Sequence, residues 1–374
     1  DLEGHAVTHF AYRERSEPTL ELEADYVVVG TGAGGAAAAV VLARGGASVA
    51  MVEAGAWRDP EDYPSSFYGA LRDQFDEWGT TVTRGRALWP VVQARTVGGT
   101  TVINSAIVVR TPGDIFRSWE ADHGISAAGY DEAMWRHQDR IERELFVETV
   151  PEASLGTSNR LAFDAAQKLG FEGHVMERSV RECLGSGQCL QGCRERRKQS
   201  TNLNWVPEVL RREGTLLSCA PVAKVIHQRG RTVGVSGCFV HPQTRRKGAK
   251  FSLRARRGVV LAASATHTPN ILRRSGLGSR ALGENFRSHP GAGVIGIYDR
   301  PVHMERGATQ GMASMAFRDD PGLKLETLAL PLELLAARLG GAGSQLTERL
   351  EEMKNAAFWI AAVRAENSVG RVKP

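Results

Sequence analysis

Cysteine is scarce in this 374-residue chain, which has five, at Cys183, Cys189, Cys193, Cys219 and Cys238. An odd number in a chain of this length argues against a disulfide framework and for a reducing compartment, the cytoplasm first. No uninterrupted apolar run approaches the ~20 residues of a membrane-spanning helix, so no transmembrane segment is expected. The first residue is Asp1 rather than a methionine, which leaves export or peripheral attachment open. Long runs of one charge are missing as well. The net charge is +5, but Lys and Arg are dispersed, and the densest basic cluster (Arg194, Arg196, Arg197, Lys198) is short, so nucleic acid is not an expected partner. Internal repeats and low-complexity tracts are absent. There is no Gly-x-Ser-x-Gly, no His-Glu-x-x-His and no Gly-Lys-Ser/Thr after a glycine loop, which removes the main support for a serine hydrolase, a zincin or a P-loop enzyme. What remains is 42% apolar and 24% charged residues, the balance of a folded globular protein. The length suffices for a large core and two structural units.

Residues 1–24 show no clear period and read as an irregular lead-in. The texture then changes. Tyr26, Val27, Val28 and Val29 form a short buried strand, a glycine-rich stretch follows, and residues 36–44 are an alanine-rich helix stopped by Gly45 and Gly46. Residues 48–52 form a second apolar strand ending in Glu53, completing a β-α-β unit. Residues 56–94 lack periodicity and read as a surface excursion. Helices are expected over 130–144, 158–169 and 344–353, and strands over 216–225, 233–240, 251–256, 257–263 and 293–298, with 242–248 a basic turn and 264–274 a loop entering a helix.

The glycine-rich stretch is Gly30-x-Gly32-x-x-Gly35, with Ala33 and Gly34 inside it. The first glycine permits a tight turn, the second admits a pyrophosphate to the backbone, and the third lets helix and strand pack closely. The helix start then faces the anion with free N–H groups. Glu53 falls 21 residues after Gly32, at the strand end where a carboxylate meets a ribose hydroxyl, and this disfavours a 2′-phosphate. FAD and NAD both remain.

A second site separates them. The run from Arg95 through Gly98, Gly99 and Thr100 to Ile103 and Asn104 resembles the second signature of the glucose-methanol-choline (GMC) oxidoreductases. Glu53-Ala54-Gly55, the strand ending Leu261-Ala262-Ala263 before Thr268-Pro269-Asn270, and Leu282-Gly283-Glu284-Asn285-Phe286 with His289-Pro290 agree with it in order. The resemblance covers about residues 25–110 and 180–295. It implies an α/β protein with a Rossmann-like FAD-binding domain (25–125 and 181–295) and a second, antiparallel-sheet substrate domain (126–180 and 296–374). FAD is the implied cofactor. Ala106 and the backbone of Val222 join the residues implied to bind it, Val222 having an equally open reading as a core strand residue. One departure is Ser264, where the family commonly has glycine.

The resemblance also implies oxidation of an alcohol by hydride transfer to flavin N5, with a His as general base and oxygen or a redox partner as electron acceptor. No histidine follows His303, and His289 reads as structural, so no catalytic residue is assigned within the chain. The implied base is expected C-terminal to Pro374, in a portion of the protein that continues from the Ser-x-Gly-x-Val entry at 368–372 and covers the flavin's reactive face. Cys183, Cys189 and Cys193 lie in a glycine-rich loop that reads either as an iron-sulfur ligand set or as structural thiols. No metal ligands are assigned, because no fourth nearby cysteine completes a common set. Lys198-Gln199-Ser200-Thr201 resembles the sterol and long-chain-alcohol branch. A sugar dehydrogenase assisted by an iron-sulfur cluster is the alternative, and a lyase or non-catalytic flavin subunit is the alternative of another class.

Overall fold

The computed structural model describes residues 8–85, 88–125, 130–337, 339–364 and 368–373. Asn367 and Pro374 lie outside them.

Two sheets organise the described residues. The larger has seven strands in the order Thr8–Phe10, Thr215–Leu217, Val49–Val52, Leu20–Val29, Lys247–Leu261, Arg231–Val240 and Val222–Gln228. The first five are parallel and the last two pair antiparallel at one edge. Parallel strands need both faces covered, and the run Val27, Val28, Val29 is buried on both. One face packs Val28, Met51 and Leu216 against the helices Ala33–Arg44 and Trp205–Arg211, while the other gathers Val27, Val29, Phe239, Phe251 and Leu253. The second sheet is antiparallel, in the order Gly291–Ile297, Ala356–Val363, Leu323–Thr327, Met312–Ser314 and His174–Val175. This is the expected α/β architecture with a Rossmann-like half and an antiparallel half.

Several elements differ from their sequence reading. The lead-in contributes strand Thr8–Phe10 and the start of Leu20–Val29, where Leu20 and Leu22 alternate with Glu21 and Glu23. The stretch 216–225 is two strands set far apart in the sheet, Thr215–Leu217 between Thr8–Phe10 and Val49–Val52 and Val222–Gln228 at the far edge, divided at Cys219 (φ +55°) and at Pro221, which lacks a backbone donor. Conversely the two expected strands 251–256 and 257–263 are one strand, Lys247–Leu261, whose register shifts between Ala255 and Gly258 and which ends two residues short of 263. All of 264–274 is helical, with Pro269 inside. Strand Gly291–Ile297 lies wholly in the second sheet and so crosses the expected domain boundary at 295/296.

Candidate functional site

The chain leaves strand Leu20–Val29 through the glycine loop and enters helix Ala33–Arg44. Gly30 has φ +98°, and a Cβ there would lie 2.4 Å from the Ala262 carbonyl oxygen. A Cβ on Gly35 would lie 2.0 Å from the Gly30 carbonyl oxygen, so helix and loop meet backbone to backbone. Gly32 is different. Its φ of −65° suits any residue, and the nearest heavy atom to a Cβ there is Gly99 Cα at 3.8 Å. A Cβ on Gly34 would meet nothing within 4 Å. The helix carries no side-chain cap and no acidic residue in its first turn. Its free N–H groups and positive dipole end therefore face open space lined by small residues.

Glu53 closes the other side of this turn. One carboxylate oxygen accepts from the Thr31 N–H (2.9 Å) and hydroxyl (2.8 Å), and the other accepts from the Gly55 N–H (3.0 Å). Burial pushes its carboxyl above the usual range, opposed by the bonds from Gly55 and Thr31. The Thr31 hydroxyl also accepts the Gly98 N–H at 2.9 Å, which ties the first glycine turn to the second. The single side chain of Thr31 thus joins the loop, the carboxylate and the 98–99 turn.

These elements bound one cleft of about 450 Å³, within the range of small-molecule and cofactor sites. Of the sequence-predicted residues, Gly30, Gly32, Ala33, Gly34, Glu53, Ala54, Arg95, Gly99, Thr100, Asn104, Val222 and Ala262 line it. Gly35, Gly98 and Ala106 do not. Gly35 sits behind the loop, Gly98 meets Val102 and Asn202, and Ala106 is buried and hydrogen-bonded to Ser179. Arg95 reaches the Ala54 carbonyl with Nε at 3.2 Å, and burial, then the neighbouring Arg245, lowers its affinity for a proton. Asn104 lines the cleft and accepts the Ala106 N–H on its own side-chain oxygen at 3.0 Å.

Sequence reasoning missed a further group on the cleft wall, Asp76, Gln93, His267 and Arg274, beside Ser264, the departure already noted. His267 Nε2 lies 2.9 Å from Asp76 Oδ2, and Gln93 exchanges hydrogen bonds with Thr266. These contacts bind the 56–94 excursion to helix Ser264–Arg274. Burial would raise the Asp76 carboxyl, but His267 holds it below its ordinary value. No local signal marks these residues, because only tertiary folding brings the two segments together. The three loop cysteines lie elsewhere, around a void of about 10 Å³. No three Cys, His, Asp or Glu side chains among the described residues are arranged to hold a metal ion.

Comparison with known proteins bears on this cleft. Residues 24–291 match the family model described as GMC oxidoreductase. An uncharacterised GMC-type oxidoreductase of Mycobacterium tuberculosis is 33% identical over all of this chain and 60% of its own length. A long-chain-alcohol oxidase of Arabidopsis thaliana is 28% identical over 96% of this chain and 49% of its own. The chain therefore spans 60% or less of the length of these relatives. Among solved structures, pyridoxine 4-oxidase superposes with a TM-score of 0.66 at 16% identity, covering 93% of this chain and 72% of that one. Formate oxidase of Aspergillus oryzae gives 0.61 at 14%, covering 92% and 73%. Both share its fold.

Proposed function

The chain belongs to the GMC oxidoreductase family, and from that premise we propose that it is the cofactor-binding portion of an FAD-dependent enzyme that oxidises an alcohol CH–OH group to a carbonyl. The observation that carries this reading is the open side of Gly32 at an uncapped helix start, because a glycine with no steric need to be glycine makes sense if a ligand lies against it. The N–H groups of Ala33 and Gly34 at the cleft suit a pyrophosphate. Glu53 Oε1, with one bond from Gly55, keeps a lone pair for a ribose hydroxyl. Val222 and Ala262 suit an adenine, and Arg95, Thr100 and Asn104 suit the flavin, all of them lining the cleft. When bound, FAD supplies a hydride acceptor at N5.

The protein's own task is to hold the reactants and to take the hydroxyl proton. His267, tied to Asp76, is the only histidine among the cleft-lining residues. We place the general base, a His, among residues C-terminal to Pro374, in keeping with the greater length of the relatives. The substrate we favour is a long-chain or otherwise apolar alcohol, the class named for the Arabidopsis relative. Oxygen or a redox partner takes the electrons from the reduced cofactor. A cluster-assisted sugar dehydrogenase draws no support from the cysteine loop as folded.

Anaerobic addition of a long-chain primary alcohol to the full-length protein tests the proposal, with bleaching of the flavin absorbance expected. Bleaching by sugars alone would favour the sugar dehydrogenase. A flavin reduced by dithionite but untouched by any alcohol would place the protein among lyases or non-catalytic flavin subunits.

A further inference from the structure

Behind the turn that carries Asn104, two cations are shut in the interior. Arg178 is 0% exposed and Lys198 3%. Arg178 Nε donates to the Ser105 carbonyl at 2.7 Å, and Nη2 donates to the sulfur of Cys189 at 3.0 Å. Lys198 Nζ donates to the carbonyl oxygens of Val102, Asn104 and Cys189. The third guanidinium nitrogen, Nη1 of Arg178, has no partner. Among the described residues, no carboxylate lies within ion-pair distance of either cation, and the sulfur of Cys189 is the side-chain acceptor in contact with Arg178.

Two like charges buried side by side are costly, and carbonyl oxygens alone do not neutralise them. The missing negative charge has few sources. The adjoining void, about 10 Å³, is at the limit for a single water and leaves no room for a solvent anion. Of the other ionisable groups around that void, Glu195 is exposed and Arg197 is paired with Glu182. Cys183 is pushed up by its own burial. Cys193 is buried too, but among the described residues its sulfur takes no hydrogen bond from either cation. Cys189 is left, buried and in direct contact with the guanidinium.

We propose that Cys189 is carried as a thiolate, the buried counter-ion of Arg178 and Lys198, and that this triad is a positioning device for the 102–106 turn that presents Asn104 to the cleft. The two cations grip the carbonyl oxygens of Val102, Asn104 and Ser105, and the thiolate neutralises them. Burial alone would raise the Cys189 thiol, but Arg178 and then Lys198 hold it below its ordinary value. The role of the turn rests on the proposed FAD site, whereas the charge state of Cys189 does not.

The experiment therefore reads the two separately. Raman intensity of the S–H stretch in the native full-length protein near neutral pH should fall short of that of the same sample unfolded in acid, where every thiol is protonated. Replacing Cys189→Ser should then leave the native S–H intensity unchanged, since no S–H bond is lost. Equal native and unfolded intensities, or a drop of one thiol in the variant, would overturn the thiolate. For the positioning role, Cys189→Ser should weaken FAD binding roughly tenfold and Cys189→Asp should restore it. If the serine variant does not fold, the native-against-unfolded comparison still decides the charge. Equal FAD affinity in the serine and aspartate variants, with both folded, would remove the positioning role.

Discussion

Gly32→Ala separates the cofactor reading from the fold. A Cβ at this position has 3.8 Å to its nearest neighbour, and the φ of −65° is ordinary for alanine, so nothing in the polypeptide resists the change. By loss of unfolded-state entropy alone the flavin-free protein should be unchanged or stabilised by up to ~1 kcal/mol. The methyl projects instead into the space where the pyrophosphate would approach the helix start. Displacing an anion from one or two backbone N–H groups forfeits ~1.5–3 kcal/mol for each charge-assisted bond. A net loss of ~3 kcal/mol corresponds to roughly 100-fold weaker FAD binding. Gly35→Ala is the contrasting control, because its Cβ would lie 2.0 Å from a backbone oxygen and the fold itself must give way. Thermal unfolding by circular dichroism, with FAD titration of flavin-free protein by fluorescence quenching, measures both quantities. Wild-type FAD affinity in Gly32→Ala, or a loss of stability matching that of Gly35→Ala, would refute the argument.

Glu53→Gln keeps an acceptor for Thr31 but turns an amide NH2 toward the Gly55 N–H. It should cost ~1–2 kcal/mol of stability and weaken FAD binding, and an unchanged melting temperature would show the carboxylate to be dispensable. Arg44 at the end of the helix Ala33–Arg44 forks onto Glu208 at 2.8 and 2.7 Å and onto Glu144 at 2.7 Å, all partly buried. Arg44→Met should cost ~1–2 kcal/mol by urea unfolding, and a change below ~0.5 kcal/mol would make these pairs merely decorative. Lys198 is pushed by burial from 10.5 down to about 8, so between those pH values the folded state binds fewer protons than the unfolded. Its contribution is present above 10.5 and lost as pH falls through about 8, which makes wild-type stability rise by ~3 kcal/mol across that window relative to Lys198→Met. Parallel curves for the two proteins would contradict a buried, charged lysine.

The legible parts of the sequence were those whose cause is local. A buried strand, a glycine turn and an alanine-rich helix specify the β-α-β unit within thirty-odd residues, and helix Tyr130–Glu144 follows from its own periodicity. The lead-in strand was readable in principle, since Leu20 and Leu22 alternate with glutamates, but the alternation is short and merges with a longer apolar run. Strand breaks set by tertiary pairing were not readable. Residues 216–225 look continuous, yet four strands of the sheet lie between their two halves. The site divides in the same way. Gly30, Gly32 and Glu53 announce themselves, whereas Asp76 and His267 stand 191 residues apart and meet only in the fold. Arg178 and Lys198 are harder still, because charged residues are normally placed on the surface and no local pattern marks the exceptions.

Three strained backbone positions stand at or beside the cleft, among others spread along the chain. Among non-glycine residues, Ala106, Cys219 and Ser264 have φ of +61°, +55° and +75°, each costing ~1 kcal/mol or more against an ordinary conformation. Each left-handed residue turns the chain where a ladder would otherwise run on. At Cys219 the backbone N–H bonds the Gly55 carbonyl and the carbonyl accepts from Val240, which delivers Ala220, Pro221 and Val222 to the cleft wall. At Ala106 the N–H closes onto the Asn104 side chain and holds that residue at the rim. At Ser264 a glycine would relieve the strain, but the serine hydroxyl accepts the His267 N–H at 3.3 Å and meets Thr266 at 3.0 Å. That contact offsets much of the strain, since a hydroxyl at a helix start contributes ~1 kcal/mol. It also sets the helix that carries His267 to Asp76 and Thr266 to Gln93. Strained turns fixed through hydrogen bonds thus contribute to the shape of the cleft. A ligand entering such a preformed space need not supply the cost of ordering it, which is the physical condition for tight retention of a large cofactor.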